Sequence, residues 1–142
     1  MVSNMKKHPV KLHITGTQFT DPDQTVSDFF VEGHLRSEDG EIYLEYPEPA
    51  EHGLGQITTV LRYDGKLLKL ERDGESGLLI EKGQRHICQY HTPLGDVFIG
   101  VNGGDIRVTD SPDRLDMEID YAIDINTTLA SRNTIKIKAQ RL

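Results

Sequence analysis

The segment from Arg114 to Ile125 reads R-L-D-M-E-I-D-Y-A-I-D-I and alternates between two kinds of side chain with a period of two residues. One parity carries the apolar and aromatic residues Leu115, Met117, Ile119, Tyr121, Ile123 and Ile125. The other parity carries the acidic residues Asp116, Glu118, Asp120 and Asp124. Because successive side chains of a strand point to opposite faces of a sheet, this period predicts a β-strand with one buried and one solvated face.

The solvated face of this strand has a basic counterpart in the last predicted strand, Thr134 to Gln140. We expect Lys136 and Lys138 to face the acids, with Lys138 beside Asp120. Opposite charges across strands contribute roughly 0.2 to 1 kcal/mol per pair. On the buried face, Ile119 and Ile123 are predicted to be deep in the core.

The same alternation recurs in weaker form along most of the chain, between short turn sequences. Asp39-Gly40, Asp64-Gly65 and Asp73-Gly74 are typical of tight hairpin turns. Gly103-Gly104 is predicted to be another hairpin turn, and Pro47 to Gly55 an irregular loop at a barrel rim. Other predicted strands include Val26–Arg36, Leu78–Glu81, Arg85–Thr92, Asp96–Val101 and Ile106–Thr109.

These segments predict an all-β fold, a single antiparallel β-barrel of about ten strands with essentially no helix. Closure is expected because an open sheet of this size would leave two long unpaired edges. The length of 142 residues fits one domain. We expect a flexible amino-terminal tail over residues 1–8 and one barrel domain over residues 9–142.

The net charge and the cysteine content indicate which binding partners and which cell compartment to expect. A formal net charge of −7 disfavours binding to phosphate backbones, so nucleic acid is not an expected partner. The single cysteine, Cys88, allows no intramolecular disulfide and fits a reducing compartment. No window of the sequence resembles a signal peptide or a membrane-spanning helix, so we predict a cytoplasmic protein without a membrane partner.

Three motifs in the middle of the chain resemble a known signature: G-L-G-Q-I-T-T (Gly53 to Thr59), L-E-R-D-G (Leu70 to Gly74) and Q-Y-H-T-P-L-G (Gln89 to Gly95). In their order and spacing, and with the long final hairpin, they resemble the YwiB-like family of small uncharacterised bacterial proteins. That family is a domain-of-unknown-function group related in fold to the calycins.

The resemblance implies a calycin-like barrel, similar in architecture to lipocalins, in a cytoplasmic bacterial protein, and it implies no activity. It marks the following as family-pattern residues without a role: Thr58, Arg72, Gly74, Tyr90, Thr92 and Gly95. The chain lacks the Trp of the lipocalin opening strand. Its link from Thr20 to Thr25 is also too short for the helical lid of fatty-acid-binding proteins, which weakens a fatty-acid hypothesis.

Cys88 is the one candidate nucleophile that the sequence offers. A neighbouring imidazole from His86, two residues away on the same strand face, or from His91 would activate a thiolate. The favoured interpretation is a small buried hydrophobe, because no partner carboxylate or oxyanion-hole motif is readable. An enzyme is therefore not the function that the residues favour.

The six histidines do not form a metal-binding pattern. None falls in a spacing such as H-x-H on one strand face, and His86 and His91 have opposite parity. We predict no metal and no other cofactor.

Arg72 and Arg62 are candidate anion-binding groups, because a guanidinium inside a barrel needs a carboxylate or a ligand anion as its partner. The alternative for Arg72 is a turn cap or an ion pair with Glu71, Asp73 or another exposed acid. The five tyrosines could line a cavity or belong to an ordinary core. The predicted ligand-binding set is Arg72, Tyr90, Thr92, Thr58 and Tyr46.

Two functional hypotheses follow. The first is a non-enzymatic barrel that binds a small molecule inside the barrel or at its mouth. The alternative is a protein-interaction module that uses the rim loop 47–55 or an outer sheet face. The sequence leaves the oligomeric state open.

Overall fold

The structure is a computed structural model that describes residues 7–49, 56–73, 75–92 and 94–142. Those residues contain ten β-strands and no helix. The strands are β1 (His8–Thr20), β2 (Asp23–Glu38), β3 (Glu41–Pro49), β4 (Gln56–Tyr63), β5 (Leu67–Arg72), β6 (Glu75–Glu81), β7 (Arg85–Thr92), β8 (Gly95–Asp110), β9 (Arg114–Ile125) and β10 (Thr128–Arg141). The predicted all-β fold of about ten strands is confirmed.

The ten strands form one antiparallel sheet in the order β6-β5-β4-β3-β2-β1-β10-β9-β8-β7. Each strand pairs with its neighbours in sequence, except that β6 and β7 stand at the two ends of this order; we call the place where they meet the β6–β7 seam. The pairing of β1 with β10 joins the two halves of the chain. At the seam, Gly83 N donates to Gly103 O at 3.0 Å and Gly103 N donates to Gln84 O at 2.9 Å. These bonds tie the β6–β7 turn to β8, so the barrel is nearly closed.

Gly103-Gly104 is not a hairpin turn, and this prediction was wrong. β8 runs unbroken through both glycines, and its register with β9 shifts between Gly103 and Ile106. A Cβ atom on Gly103 would lie 1.9 Å from the carbonyl oxygen of Glu81. The glycine therefore allows β8 to approach the end of β6, and the extra residues form a bulge.

Other turns fall closer to the prediction. Asp39 and Gly40 have φ values of 52° and 81°, as the tight turn between β2 and β3 requires. Pro47 and Pro49, expected in a rim loop, lie in β3, and residues 50–55 lie outside the described residues. Residues 1–6, within the expected amino-terminal tail, lie outside them as well, and β1 begins at His8.

The barrel interior divides into two halves, of which the packed half is filled with apolar side chains. Its residues come from the beginning of β1, β3, β5 and β9 and from the end of β2, β4, β6 and β10, where antiparallel strands meet. Its fully buried members include Val10, Leu12, Leu35, Leu44, Leu61, Leu68, Ile80, Leu115, Ile119 and Ile137. Each contributes roughly 1.5 to 3 kcal/mol as an upper estimate, so this half stabilises the fold.

The outer face of β9 follows the predicted charge pairing in part. Lys138 pairs in register with Asp116 and Lys136 with Glu118. Asp120 does not face Lys138, because its partner across the strands is Thr134, whose hydroxyl donates to the Asp120 carboxylate at 2.9 Å. The register therefore differs from the expected one at this position.

Asp124 is buried rather than solvated, with 5% of its surface exposed. The Arg85 guanidinium binds both carboxylate oxygens, through Nε at 2.9 Å and Nη2 at 2.7 Å, and Asn102 Nδ2 donates at 2.7 Å. Gly100 lies beneath this pair, since a Cβ atom there would come within 2.5 Å of both side chains. The hydrogen bonds from Arg85, and then from Asn102, hold the pKa of Asp124 well below its usual range.

Candidate ligand-binding site

The second half of the interior, which we term the open half, holds a cavity of about 560 Å³. It lies where β1, β5 and β9 end and where β6, β8 and β10 begin. Ligand sites in proteins usually measure about 300 to 1,000 Å³. The cavity is therefore large enough for a small organic molecule.

The wall of this cavity is apolar, with polar groups interspersed. Its apolar members are Leu70, Leu78, Val97, Ile99, Ile123, Ile125 and Ile135, and its polar members are Gln18, Thr20, Arg72, Tyr121, Ser131 and Asn133. Ser131 is buried, and its hydroxyl accepts a hydrogen bond from Asn133 Nδ2 at 3.0 Å. Among the described residues of the wall, Arg72 is the one charged side chain.

Ile123 belongs to this wall and is half-buried, which corrects the expectation that it lies deep in the core. Ile119, four residues earlier on the same face of β9, is fully buried as predicted. The strand thus passes from the packed half into the open half between these two residues.

A second cavity of about 230 Å³ adjoins the first, because Arg72, Leu70, Tyr121 and Asn133 line both. It adds Tyr46 and Glu48 from the end of β3 to the wall. The combined space thus reaches from β9 across to β3.

Arg72, Glu48 and Thr59 form a polar cluster at this end of the barrel. Thr59 is fully buried, and its hydroxyl donates to Glu48 Oε1 at 2.7 Å. Arg72 Nη2 lies 3.3 Å from the same carboxylate oxygen. The Arg72 side chain is 54% exposed and that of Glu48 13%, so the acid is anchored in the wall while the guanidinium reaches the opening.

Tyr46 lies beside this cluster, directly opposite Thr59 in the β3–β4 pairing. Burial raises the pKa of its hydroxyl far above the usual value, and the Glu48 carboxylate adds to the effect, while Arg72 opposes it. The hydroxyl therefore stays protonated at neutral pH.

Of the predicted set, Arg72 and Tyr46 meet at the cavity and Thr58 does not. The Thr58 side chain is exposed on the outer face, and its backbone N–H donates to Asp73 Oδ1 at 3.0 Å. Thr59 takes the interior position. Tyr90 and Thr92 lie in β7 opposite Val97 and Gly95, and their side chains are outside the described part of the structure.

Arg62, the other candidate arginine, lies on the outer face. Its Nε donates to Glu71 Oε1 at 3.1 Å, and its guanidinium carbon lies 4.9 Å from the centre of the Tyr43 ring. The ion-pair partner of Arg72 is Glu48, an acid of the cavity wall, rather than Glu71 or Asp73.

The arrangement around Cys88 fits the interpretation as a buried hydrophobe. Cys88 is 6% exposed and pairs with Ile99. The His86 ring nitrogen contacts Glu81 Oε1 at 2.9 Å, and the His91 side chain lies outside the described residues. Within the described ranges, no group of three or more His, Cys, Asp or Glu side chains could hold a metal ion.

Fold and site define a class of small antiparallel β-barrels with one packed half and one half that contains a cavity. The chain belongs to the family described as a domain of unknown function (DUF1934), which matches residues 12–137. Its fold is similar to that in the crystal structure of the ywiB protein from Bacillus subtilis, with a TM-score of 0.81 at 19% sequence identity, over 97% of this chain and 95% of that one. The resemblance read from the three motifs is thereby confirmed.

No curated protein matches the chain. Across the described residues, no helix has the length and apolar character needed to cross a membrane.

Proposed function

We propose that the protein is a non-enzymatic barrel that binds a small organic molecule in its open half. The observation that carries this proposal is the cavity of about 560 Å³, which is lined by apolar walls and a small number of polar groups. Such a lining is typical of ligand sites, where apolar area supplies affinity and the polar groups supply orientation.

The contrast between the two halves supports the proposal. Protein interiors are normally close-packed, and the packed half of this barrel follows that rule. In the open half, Ile123 and Ile135 remain half-buried beside the cavity. A ligand that covered these side chains would gain affinity from their burial, at about 25 cal/mol per Å² of apolar surface.

Native mass spectrometry of the purified protein, together with a thermal-shift screen against metabolites and lipids, tests the proposal. A matched pair of variants on β10 locates any binding. Ile135→Phe reduces the cavity, whereas Lys136→Phe places the same side chain on the outer face. We expect a ligand that binds the wild type and Lys136→Phe and not Ile135→Phe. If no compound binds, or if Ile135→Phe retains full binding, the proposal fails.

A protein-interaction function rests on a separate observation, the exposed apolar side chains of β7 and β8. Ile87 is 56% exposed and Phe98 65% exposed on the outer face, and Leu94 in the turn between the strands is fully exposed. Affinity capture from a bacterial lysate with the wild type and with Phe98→Ser tests this candidate. Equal recovery of partners by the two proteins would count against it.

A further inference from the structure

We infer that the ligand of the open half is an amphipathic organic anion whose acidic group binds Arg72. This inference rests on the proposed function and specifies its ligand class. It starts from the distribution of charge: the protein carries a formal net charge of −7, yet the one charged side chain among the described residues of the larger cavity is a cation.

The contacts of Arg72 leave its guanidinium available to a ligand. A guanidinium carries five N–H donors in a planar fork that matches the two oxygens of a carboxylate. The ion pair with Glu48 involves one nitrogen, Nη2, at 3.3 Å. More than half of the Arg72 side chain is exposed at the opening.

Glu48 is the acid with which a ligand anion would compete for this guanidinium. Its Oε1 accepts the hydroxyl of the fully buried Thr59 at 2.7 Å, which fixes the carboxylate in the wall. The fixed carboxylate lies 3.3 Å from Arg72 Nη2, and a ligand anion would compete with it for the same guanidinium. This competition gives the inference a distinctive test.

The remaining wall selects for an apolar body. Leu70, Ile99 and Ile135 surround the space beyond Arg72, and the polar groups nearby, Gln18 and Asn133, are uncharged. An ammonium group there would meet the like charge of Arg72, and a neutral head group would gain no charge-assisted hydrogen bond. An anion with an aliphatic or aromatic body satisfies both the cation and the apolar wall.

Isothermal titration calorimetry at pH 7 with octanoate, 1-octanol and octylammonium tests the inference on the full chain. We expect octanoate to bind most tightly and octylammonium least tightly. Equal affinity for octanoate and octanol would overturn the inference and leave the proposed function standing. Absence of binding by all three compounds would also overturn it. The proposed function would then be tested separately, by the thermal-shift screen against metabolites and lipids.

Three variants assign the charge effect to its residue. Arg72→Met should weaken octanoate binding by roughly tenfold to a hundredfold, the range expected for hydrogen bonds to a charged group, and leave octanol binding unchanged. Glu48→Gln should tighten octanoate binding alone, because it removes the competing charge. Arg62→Met is the matched control: Arg62 is equally exposed, at 54%, but lies on the outer face beside Glu71.

We expect Arg62→Met to bind octanoate as the wild type does. Parallel thermal melts establish that each variant is folded. If Arg72→Met weakened octanoate and octanol equally, Arg72 would act through the structure and the inference would be overturned. A loss of octanoate binding in Arg62→Met, or a weaker binding in Glu48→Gln, would overturn it as well.

Discussion

Two isoleucines on one face of β9 lie in different halves of the barrel, and replacing each with alanine tests that division. Ile119 is fully buried, whereas Ile123 is half-buried in the wall of the cavity. Each change to alanine removes three carbon groups, worth about 0.8 kcal/mol apiece when they are fully buried. For Ile119→Ala, the lost transfer energy and the new void together predict that the free energy of unfolding falls by about 3 to 5 kcal/mol.

Ile123→Ala enlarges a cavity that already exists and removes groups that are partly solvated. Because the side chain is only half-buried, we expect the free energy of unfolding to fall by about 1 to 2 kcal/mol. The difference between the two variants, about 2 kcal/mol, corresponds to roughly 1 M in the urea midpoint for a domain of this size.

Urea unfolding followed by circular dichroism measures both variants against the wild type. The two positions share residue type, strand and face, so the comparison isolates burial. If Ile123→Ala were as damaging as Ile119→Ala, the open half would be packed in solution, and both the division of the interior and the ligand proposal would be wrong.

Three further predictions concern buried groups elsewhere. Asp124→Asn should lower the urea midpoint at pH 7 and lower it by less at pH 3. The folded pKa of Asp124 lies well below the ordinary value of 3.8, so its contribution to stability is complete above that pH and is lost progressively as the pH falls from there through the folded pKa. An effect equal at both pH values would contradict this. Gly103→Ala should lower the free energy of unfolding by about 3 kcal/mol or more, because its Cβ would collide with the Glu81 carbonyl. Gly16→Ala is the control: no atom lies closer than 4.0 Å to its Cβ, so the free energy of unfolding should change by no more than about 1 kcal/mol in the same urea melts. Iodoacetamide should label Cys88 in the native protein more slowly than a reference thiol at pH 6.5, because the thiol is buried; faster labelling would indicate an activated thiolate.

Strands with a strict alternation could be predicted from the sequence alone. β9 has the predicted bounds, Arg114–Ile125, and β7 also matches its prediction, Arg85–Thr92. The reason is physical: each strand separates a buried face from a solvated face, so the period of two appears directly in the residue types.

The diglycine at Gly103-Gly104 shows where sequence alone is insufficient. Two adjacent glycines suit a hairpin turn and a bulge equally well. What decides between them is the approach of Glu81, which lies 22 residues earlier in the chain at 1.9 Å from the position of a Gly103 Cβ. Such a contact depends on the curvature of the nearly closed barrel and leaves no local signal.

The candidate site was predictable for residues whose strand parity could be counted. Arg72 shares parity with Leu70 and Leu68, which are buried, and it reaches the interior. Thr58, named in the predicted ligand-binding set, is exposed on the outer face, whereas counting back from the buried Leu61 selects Thr59.

Other site residues were missed for different reasons. Ser131 and Asn133 share the inward parity of Ile135 and Ile137, but the predicted last strand began at Thr134, whereas β10 begins at Thr128. Asp124 matched the solvated pattern of β9, yet Arg85 from β7, 39 residues away, covers it.

The most direct test of the central claim is a ¹H–¹⁵N correlation spectrum of the protein titrated with octanoate. If the open half binds an amphipathic anion, amide signals of Arg72, Tyr121 and Asn133 should shift in a saturable manner, while those of Leu12 and Leu115 in the packed half stay unchanged. Shifts confined to the outer face of β7 and β8 around Phe98, or no saturable shift at all, would contradict the account.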